Sequence, residues 1–311
     1  MGKELIILCG PTASGKSAVA MALCEQIGGE LVSCDSMQLY RGMDIGTAKP
    51  TLTDRQRVPH HMIDVLDPEE KCSAAKYREL ATPVIEGIFG RGKTPVLCGG
   101  TGLYINALTK PLGFSVESDP SLRARLTERG QTPEGKQALH DALCAVDPES
   151  AQRLHTNDVR RVIRALEVHQ LSGKTLSEQM RIDAGRLGDY PARLFALDWP
   201  RELLYARIDL RVEQMIEAGL VGEVRALLDV GLPRSGTAMQ AIGYKEIVAV
   251  LDGNITMGEA VAQIQQSTRN YAKRQLTWFG RDERVIWINA QGHSAAQIAR
   301  QLMEDTIKCI G

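Results

Sequence analysis

The chain has 311 residues, 43% of them hydrophobic and 24% charged, with a formal net charge of −1. That is the make-up of an ordinary globular protein, long enough for one large domain or two moderate ones. It excludes a chain-wide attraction to nucleic acid, so any such site must be a local patch. Seven scattered cysteines without a C-x-x-C pair read as small buried hydrophobes in a reducing compartment. No apolar stretch reaches the ~20 residues of a bilayer span, and the N-terminal apolar run is too short for a signal sequence. A cytoplasmic protein with no membrane association is expected, with monomer as the default state.

In chain order, Leu5–Cys9 is a continuous apolar run, as in a strand buried on both faces. It leads into GPTASGKS, residues 10 to 17, and then a helical pattern over Lys16–Ile27 that stops at Gly28-Gly29. Glu30–Cys34 reads as a second strand with Asp35 at its end, followed by a long polar loop, DSMQLYRGMDIGTAKP, residues 35 to 50. A third strand is predicted over His61–Leu66, a helix over Tyr77–Phe89, and a strand over Thr94–Cys98 running into GGTG and another helix. This alternation argues for α/β architecture, a parallel sheet flanked by helices. Residues 115 to 190 contain no good strand. They carry helical runs Leu122–Arg129, Gly135–Ala145 and Asp158–Leu171, broken by Pro133, Pro148 and Gly173. We read residues 115–190 as a helical insertion in one core formed by residues 1–114 and 191–311. Strand character returns at Arg193–Leu197. Helices follow over Arg201–Ala218, Val221–Asp229, Ala241–Leu251 and Met257–Phe279, then a strand at Val285–Asn289 and a closing helix over Ala295–Ile310.

Gly10, Gly15, Lys16 and Ser17 complete G-x-x-x-x-G-K-[ST] between strand and helix. In such a loop, backbone N–H groups and the helix N-terminus converge on phosphate oxygens. The lysine adds a cation, and the Ser17 hydroxyl is a ligand for Mg²⁺. An ATPase or GTPase usually has a second acid at the end of a neighbouring strand. Here that strand ends in Gly99-Gly100-Thr101-Gly102, and the remaining acid is Asp35. The residues leave two chemistries open. In a small-molecule kinase Asp35 would deprotonate an acceptor hydroxyl. In a transferase the loop would hold a departing diphosphate. A non-catalytic RNA-binding protein would leave the loop and Asp35 without purpose.

Two basic patches stand out. Arg160, Arg161 and Arg164 cluster in the insertion, with Arg160 and Arg164 one helical turn apart. Asn270, Arg274, Trp278 and Arg281 form one helical stripe, and residues 263 to 284 hold five Lys/Arg against two Asp/Glu, a local +3. Cations beside an aromatic suit single-stranded RNA, although a solvated face with Trp278 packed inward fits the same pattern. Arg207 and Arg211, also one turn apart, would either reach an anion or cover the helix surface. His60-His61 has no third ligand at fixed spacing and reads as structural.

GPTASGKS (10–17), DSMQLYRGMDIGTAKP (35–50), GGTGLY (99–104), RALEV (164–168), AIGYKE (241–246) and RQLTWF (274–279) stand in this order over nearly the whole chain. Together they resemble the bacterial tRNA dimethylallyltransferase family, also called tRNA isopentenyltransferases. The resemblance implies a P-loop core and the transfer of a dimethylallyl group from dimethylallyl diphosphate to N6 of adenosine 37, in the tRNA anticodon stem-loop. It implies Mg²⁺ on Ser17 and diphosphate on Gly10, Thr12, Ala13, Ser14, Gly15, Lys16, Ser17 and Arg211. Asp35 would be the base, with Thr101 and Lys16 also catalytic. tRNA contacts would come from Asp35, Ser36, Met37, Gln38, Thr101, Arg123, Arg160, Arg161, Val162, Ile163 and Arg164. Others would come from Gln240, Ala241, Ile242, Gly243, Tyr244, Lys245, Lys273, Arg274, Gln275, Leu276, Thr277, Trp278, Phe279 and Gly280. The sequence shows no counterpart of the zinc-finger tail of eukaryotic relatives, so no zinc is implied.

Overall fold

A computed structural model describes residues 3–111, 119–184 and 188–308. The chain divides into two compact units, one comprising Met1–Thr109 and Tyr190–Gly311, the other Lys110–Asp189. The predicted insertion boundary at residues 114 and 115, the last two residues of the predicted closing helix, and Cys309 lie outside the described residues. Among the described residues no helix is long and apolar enough to cross a membrane.

The first unit begins with β1 (Leu5–Cys9), α1 (Lys16–Ile27), β2 (Glu30–Ser33), α2 (Leu52–Arg57), β3 (His60–His61), α3 (Ala74–Gly90), β4 (Pro95–Cys98) and α4 (Gly102–Thr109). The second unit consists, in its described part, of helices α5 (Pro120–Arg129), α6 (Pro133–Val146), α7 (Pro148–Arg153), α8 (Val159–Ser172) and α9 (Leu176–Ala184). The first unit resumes with β5 (Ala192–Asp198), α10 (Arg201–Glu217), α11 (Leu220–Asp229), α12 (Tyr244–Leu251), α13 (Met257–Phe279), β6 (Val285–Asn289) and α14 (Ala295–Lys308).

The expected parallel sheet is present, with six strands in the order β3-β2-β4-β1-β5-β6. β1 lies between β4 and β5, pairing Ile7 with Leu97 and with Leu194. Every residue of β1, β2 and β4 is buried, which is why β1 reads as an unbroken apolar run, while β2 also buries Glu30 and Ser33. On one face, Val19, Leu23 and Cys24 of α1 and Ile298, Ala299 and Leu302 of α14 pack over Ile6, Leu8, Phe195 and Leu197. The second unit has its own core, in which Leu122, Leu126, Leu139, Leu143, Val162 and Leu166 meet.

The predicted strand over His61–Leu66 shrinks to His60–His61, with one isolated bridge between Tyr40 and Leu66. Met62 and Asp64 adopt left-handed backbone conformations there, φ 58° and 56°, which no strand tolerates. Sequence reading also missed three short helices. α2 carries a capping box in which Thr51 and Asp54 bond each other's backbone N–H. α7 opens on Asp147-Pro148, and α9 follows Thr175, whose hydroxyl accepts from Glu178 N–H. The breaks read at Pro133 and Pro148 are real, but each proline also starts the next helix at its first position. The helix predicted from Ala241 begins only at Tyr244, because Gly243 takes φ 95° and its N–H bonds Glu246.

Candidate active site

The phosphate loop sits at the carboxyl edge of the sheet, between β1 and α1. Gly10, Ala13 and Gly15 take φ 112°, 60° and 93°, left-handed conformations of the kind from which anion-binding backbone nests are built. Each segment of the loop is held from outside. Trp199 Nε1 donates to Ser14 O at 2.9 Å, and Arg207 Nε donates to Ala13 O at 2.9 Å. The Arg207 guanidinium lies over the Trp199 ring, 4.5 Å from its centroid. Arg211 Nη1 donates to Thr12 Oγ1 at 3.1 Å, and Thr12 N–H donates to Gln275 Oε1 at 2.9 Å. Arg207 and Arg211 do more than cover the helix surface: both line the cavity above the loop.

That cavity, of about 460 Å³, is also lined by Thr12, Lys16, Ser17 and Asp35. Loss of hydration pulls the Lys16 ammonium below its ordinary pKa; the Arg211 cation adds to the shift and Asp35 opposes it. Burial likewise lowers the Arg211 guanidinium. Burial pushes the Cys98 thiol up to about 11 even though Lys16 and the Ser17 hydroxyl beside it pull the other way, so it stays a neutral wall.

A second cavity of about 300 Å³ is mostly apolar, lined by Met37, Ile208, Val212, Met215, Ile242 and Tyr271 among others. Thr12, Asp35, Thr47 and Arg211 line both. Asp35 is half-buried, and its Oδ1 accepts from Met37 N–H at 2.9 Å, which fixes the carboxylate at the loop start. Ser36 N–H donates to Thr101 Oγ1 at 3.1 Å, and Thr101 N–H donates to Cys34 O at 3.1 Å. The residues flanking Asp35, Cys34 and Ser36, are thus both bonded to Thr101 between the ends of β2 and β4. The loop after Asp35 is equally fixed. Glu223 accepts from the N–H groups of Asp44, Ile45 and Gly46 at 2.8, 2.7 and 3.1 Å, and from Tyr244 Oη at 2.6 Å. The Gln38 amide reaches Thr47 O at 3.2 Å, and buried Lys49 bonds Tyr40 O, Asp44 and Asp64.

The turn after β4, which carries no acid, leaves little room for side chains at its glycines. A Cβ on Gly99 would lie 2.3 Å from the Cys34 carbonyl, one on Gly100 1.9 Å from Gln275 Nε2, and one on Gly102 2.1 Å from Trp278 Nε1. Only Thr101 keeps a side chain, and it faces Ser36.

Several residues expected to touch tRNA are buried or half-buried, although Ala241, Ile242, Gly243 and Tyr244 line the second cavity. Val162 and Ile163 belong to the core of the helical unit, and Gly243, Tyr244, Gln275 and Phe279 are buried in the first unit. Leu276 packs beside Leu204 and Ile208, and Ala241 and Ile242 are half-buried. Their side chains do not form an outer surface. Arg160, Arg161, Gln240, Lys245, Lys273, Arg274, Thr277, Trp278 and Gly280 are exposed. Trp278 is 42% exposed, so the reading in which it packs inward is not observed. Its indole edge covers Gly102 while its stripe, with Asn270, Arg274 and Arg281, stays open. In the helical unit, Arg123 and Arg164 both bond one carboxylate, that of Glu167, whose side chain is fully buried. Glu167 Oε1 finds no partner among the described residues.

Sequence reading passed over Glu223, Tyr271, Trp199 and Glu167, and placed Gln275 among RNA contacts. Burial and nearby Asp35 push the Tyr271 phenol up to about 12, with its hydroxyl in reach of Thr101 and Gln275. A signal for Gln275 was present: it is the one polar member of the buried stripe Ala260, Ile264, Ala272, Gln275, Phe279 on α13.

Comparison with known proteins decides the family. The profile described as IPP transferase matches residues 38–282, and that described as isopentenyl transferase matches residues 3–64. The chain belongs to the IPP transferase family. It is 51% identical over 291 residues to a tRNA dimethylallyltransferase of Geobacter metallireducens, with 93% of each chain covered. It is 45% identical over 306 residues to that of Carboxydothermus hydrogenoformans, with 98% of each covered. The crystal structure of the full-length tRNA isopentenylpyrophosphate transferase of Bacillus halodurans is 41% identical and matches with TM-score 0.72, covering 98% of this chain and 96% of that one. A eukaryotic dimethylallyltransferase captured acting on tRNA is 26% identical and matches with TM-score 0.83, covering 99% of this chain and 80% of that one. For an IPP transferase, two cavities sharing one carboxylate are a workable arrangement. One is cationic and suits a diphosphate, the other apolar and suits a hydrocarbon and a base.

Proposed function

We propose that this protein is a tRNA dimethylallyltransferase, moving a dimethylallyl group from dimethylallyl diphosphate to N6 of adenosine 37 beside the tRNA anticodon. The observation that carries the reading is the placement of Asp35 in the wall common to the cationic and the apolar cavity. The diphosphate lies on the loop N–H groups, flanked by Lys16, Arg207 and Arg211. The five-carbon chain points into the apolar cavity. As the C1–O bond breaks, carbon gains cationic character and charge builds on the leaving pyrophosphate, which the cations and loop dipoles stabilise. N6 attacks C1, and Asp35 accepts the proton that N6 loses as the N–C bond forms. Thr101, tied to Ser36, holds the acceptor side of the site in register with Asp35. The apolar wall keeps water from the allylic cation.

The residues fit a divalent cation. Ser17 puts a hydroxyl, a hard oxygen donor, on the cavity wall beside Lys16, and Ser14 Oγ is buried in the loop with no partner among the described residues. Mg²⁺ bound at Ser17 would neutralise diphosphate charge. The tRNA partner contributes a base taken out of its stack. The exposed cations of α13 and of the helical unit support phosphate contacts. We take the working species to be a cytoplasmic monomer.

The test is incubation with unmodified tRNA, labelled dimethylallyl diphosphate and Mg²⁺, followed by nucleoside analysis. N6-dimethylallyladenosine at position 37, lost when A37 is replaced, is the expected result. ATP consumption dependent on a small acceptor, with no label in tRNA, would overturn the reading in favour of a metabolite kinase.

A further inference from the structure

We propose that Gln275 is a positioning residue that locks the diphosphate loop to the acceptor-side turn, rather than an RNA contact; the inference rests on the transferase reading above. Gln275 lies in the segment of α13 whose exposed members face solvent, yet it is only 5% exposed. Both ends of its amide are used. Oε1 accepts from Thr12 N–H at 2.9 Å, and Nε2 donates to Gly100 O at 3.0 Å. One planar group therefore sets the distance between the turn that holds the leaving group and the turn that carries Thr101. Gly100 has no room for a side chain because this nitrogen occupies the space, 1.9 Å from where a Cβ would stand. The Tyr271 hydroxyl, one helical turn earlier, also reaches this amide and Thr101.

The physical consequence is specific. Diphosphate still binds if the bracket is lost, since the loop N–H groups, Lys16 and Arg211 remain. What is lost is the alignment of C1 with N6 and Asp35, and a misplacement near 1 Å costs a reaction of this kind about 10²-fold. A residue of this type lowers kcat and leaves both KM values nearly alone.

The test is steady-state kinetics of the full-length enzyme carrying Gln275→Leu, which keeps volume and removes both bonds. It is paired with thermal melts and with calorimetric binding of inorganic pyrophosphate and Mg²⁺. kcat is expected to fall about 10- to 100-fold, with KM for tRNA and for donor, and pyrophosphate affinity, within about threefold of wild type. Gly100→Ala, which drives a methyl onto Nε2, provides the same readout if Gln275→Leu does not fold. Combined with Gln275→Ala it should lose no more than the worse single variant, because both break one bracket. A wild-type kcat in Gln275→Leu, a raised tRNA KM with unchanged kcat, or losses that multiply in the double variant would each overturn the proposal. Wild-type enzyme that makes no prenylated nucleoside would instead sink the transferase reading itself.

Discussion

Two regions of the molecule place positive charge in different ways. In the phosphate loop the donors are backbone N–H groups, and four side chains of other elements, Trp199, Arg207, Arg211 and Gln275, bond that loop. In the helical unit the donors are the tips of two long arginines, tied by one buried carboxylate, Glu167. The first arrangement presents fixed dipoles and, on the proposed function, suits a leaving group whose bond must break in line. The second anchors two cations on one buried carboxylate, and on the proposed function it meets the repeating phosphates of a polymer. Preorganised dipoles act on a transition state, while flexible cations act mainly on affinity.

If that contrast is right, substitutions in the two regions should separate kcat from tRNA affinity. The largest effect is expected at Asp35. Asp35→Ala should lower kcat by about 10²–10⁴-fold with donor binding nearly intact; a loss below tenfold in single-turnover assays would remove the base role. Next comes a control in the first unit but far from chemistry. Glu30, on β2, is bonded by Arg91 and His61, and the Arg91 guanidinium first of all holds its carboxyl at about 2. A depressed carboxyl stabilises the fold above its unfolded pKa and loses that contribution as pH falls toward 2. Glu30→Gln should therefore cost on the order of 2–3 kcal/mol at pH 7, with the gap to wild type closing below pH ~4.5 in urea melts, and kcat unchanged. In the helical unit, Glu167→Gln should weaken tRNA binding by about 1–2 kcal/mol with kcat at saturating tRNA unaltered. A fall in kcat there would break the comparison. The smallest change is expected for Arg123→Ala: the slope of log affinity against log salt should drop by about one unit. An unchanged slope would mean that Arg123 serves only Glu167.

The fold was legible because its strands are buried on both faces and its helices are long and periodic. What escaped depended on backbone detail. Left-handed Met62 and Asp64 ended a strand that composition alone would extend, and short helices such as α2 rest on caps rather than on an apolar stripe. The phosphate loop could be read because its function lies in its own residues. Glu223 and Trp199 could not, because each acts on backbone far away in sequence, and nothing about a glutamate on α11 announces three N–H groups of the loop after Asp35. Motif matching also read contiguous segments as uniform. Within residues 273 to 280 the helical period separates Arg274 and Trp278, which face solvent, from Gln275 and Phe279, which do not. The same period buries Val162 and Ile163 between exposed Arg160 and Arg161 and half-buried Arg164.

The crowding around Gly99, Gly100 and Gly102 also constrains how this scaffold can diversify. A carboxylate at any of those three positions would have to push aside main chain, an amide or an indole. Any polar side chain this turn presents to the site is therefore confined to position 101.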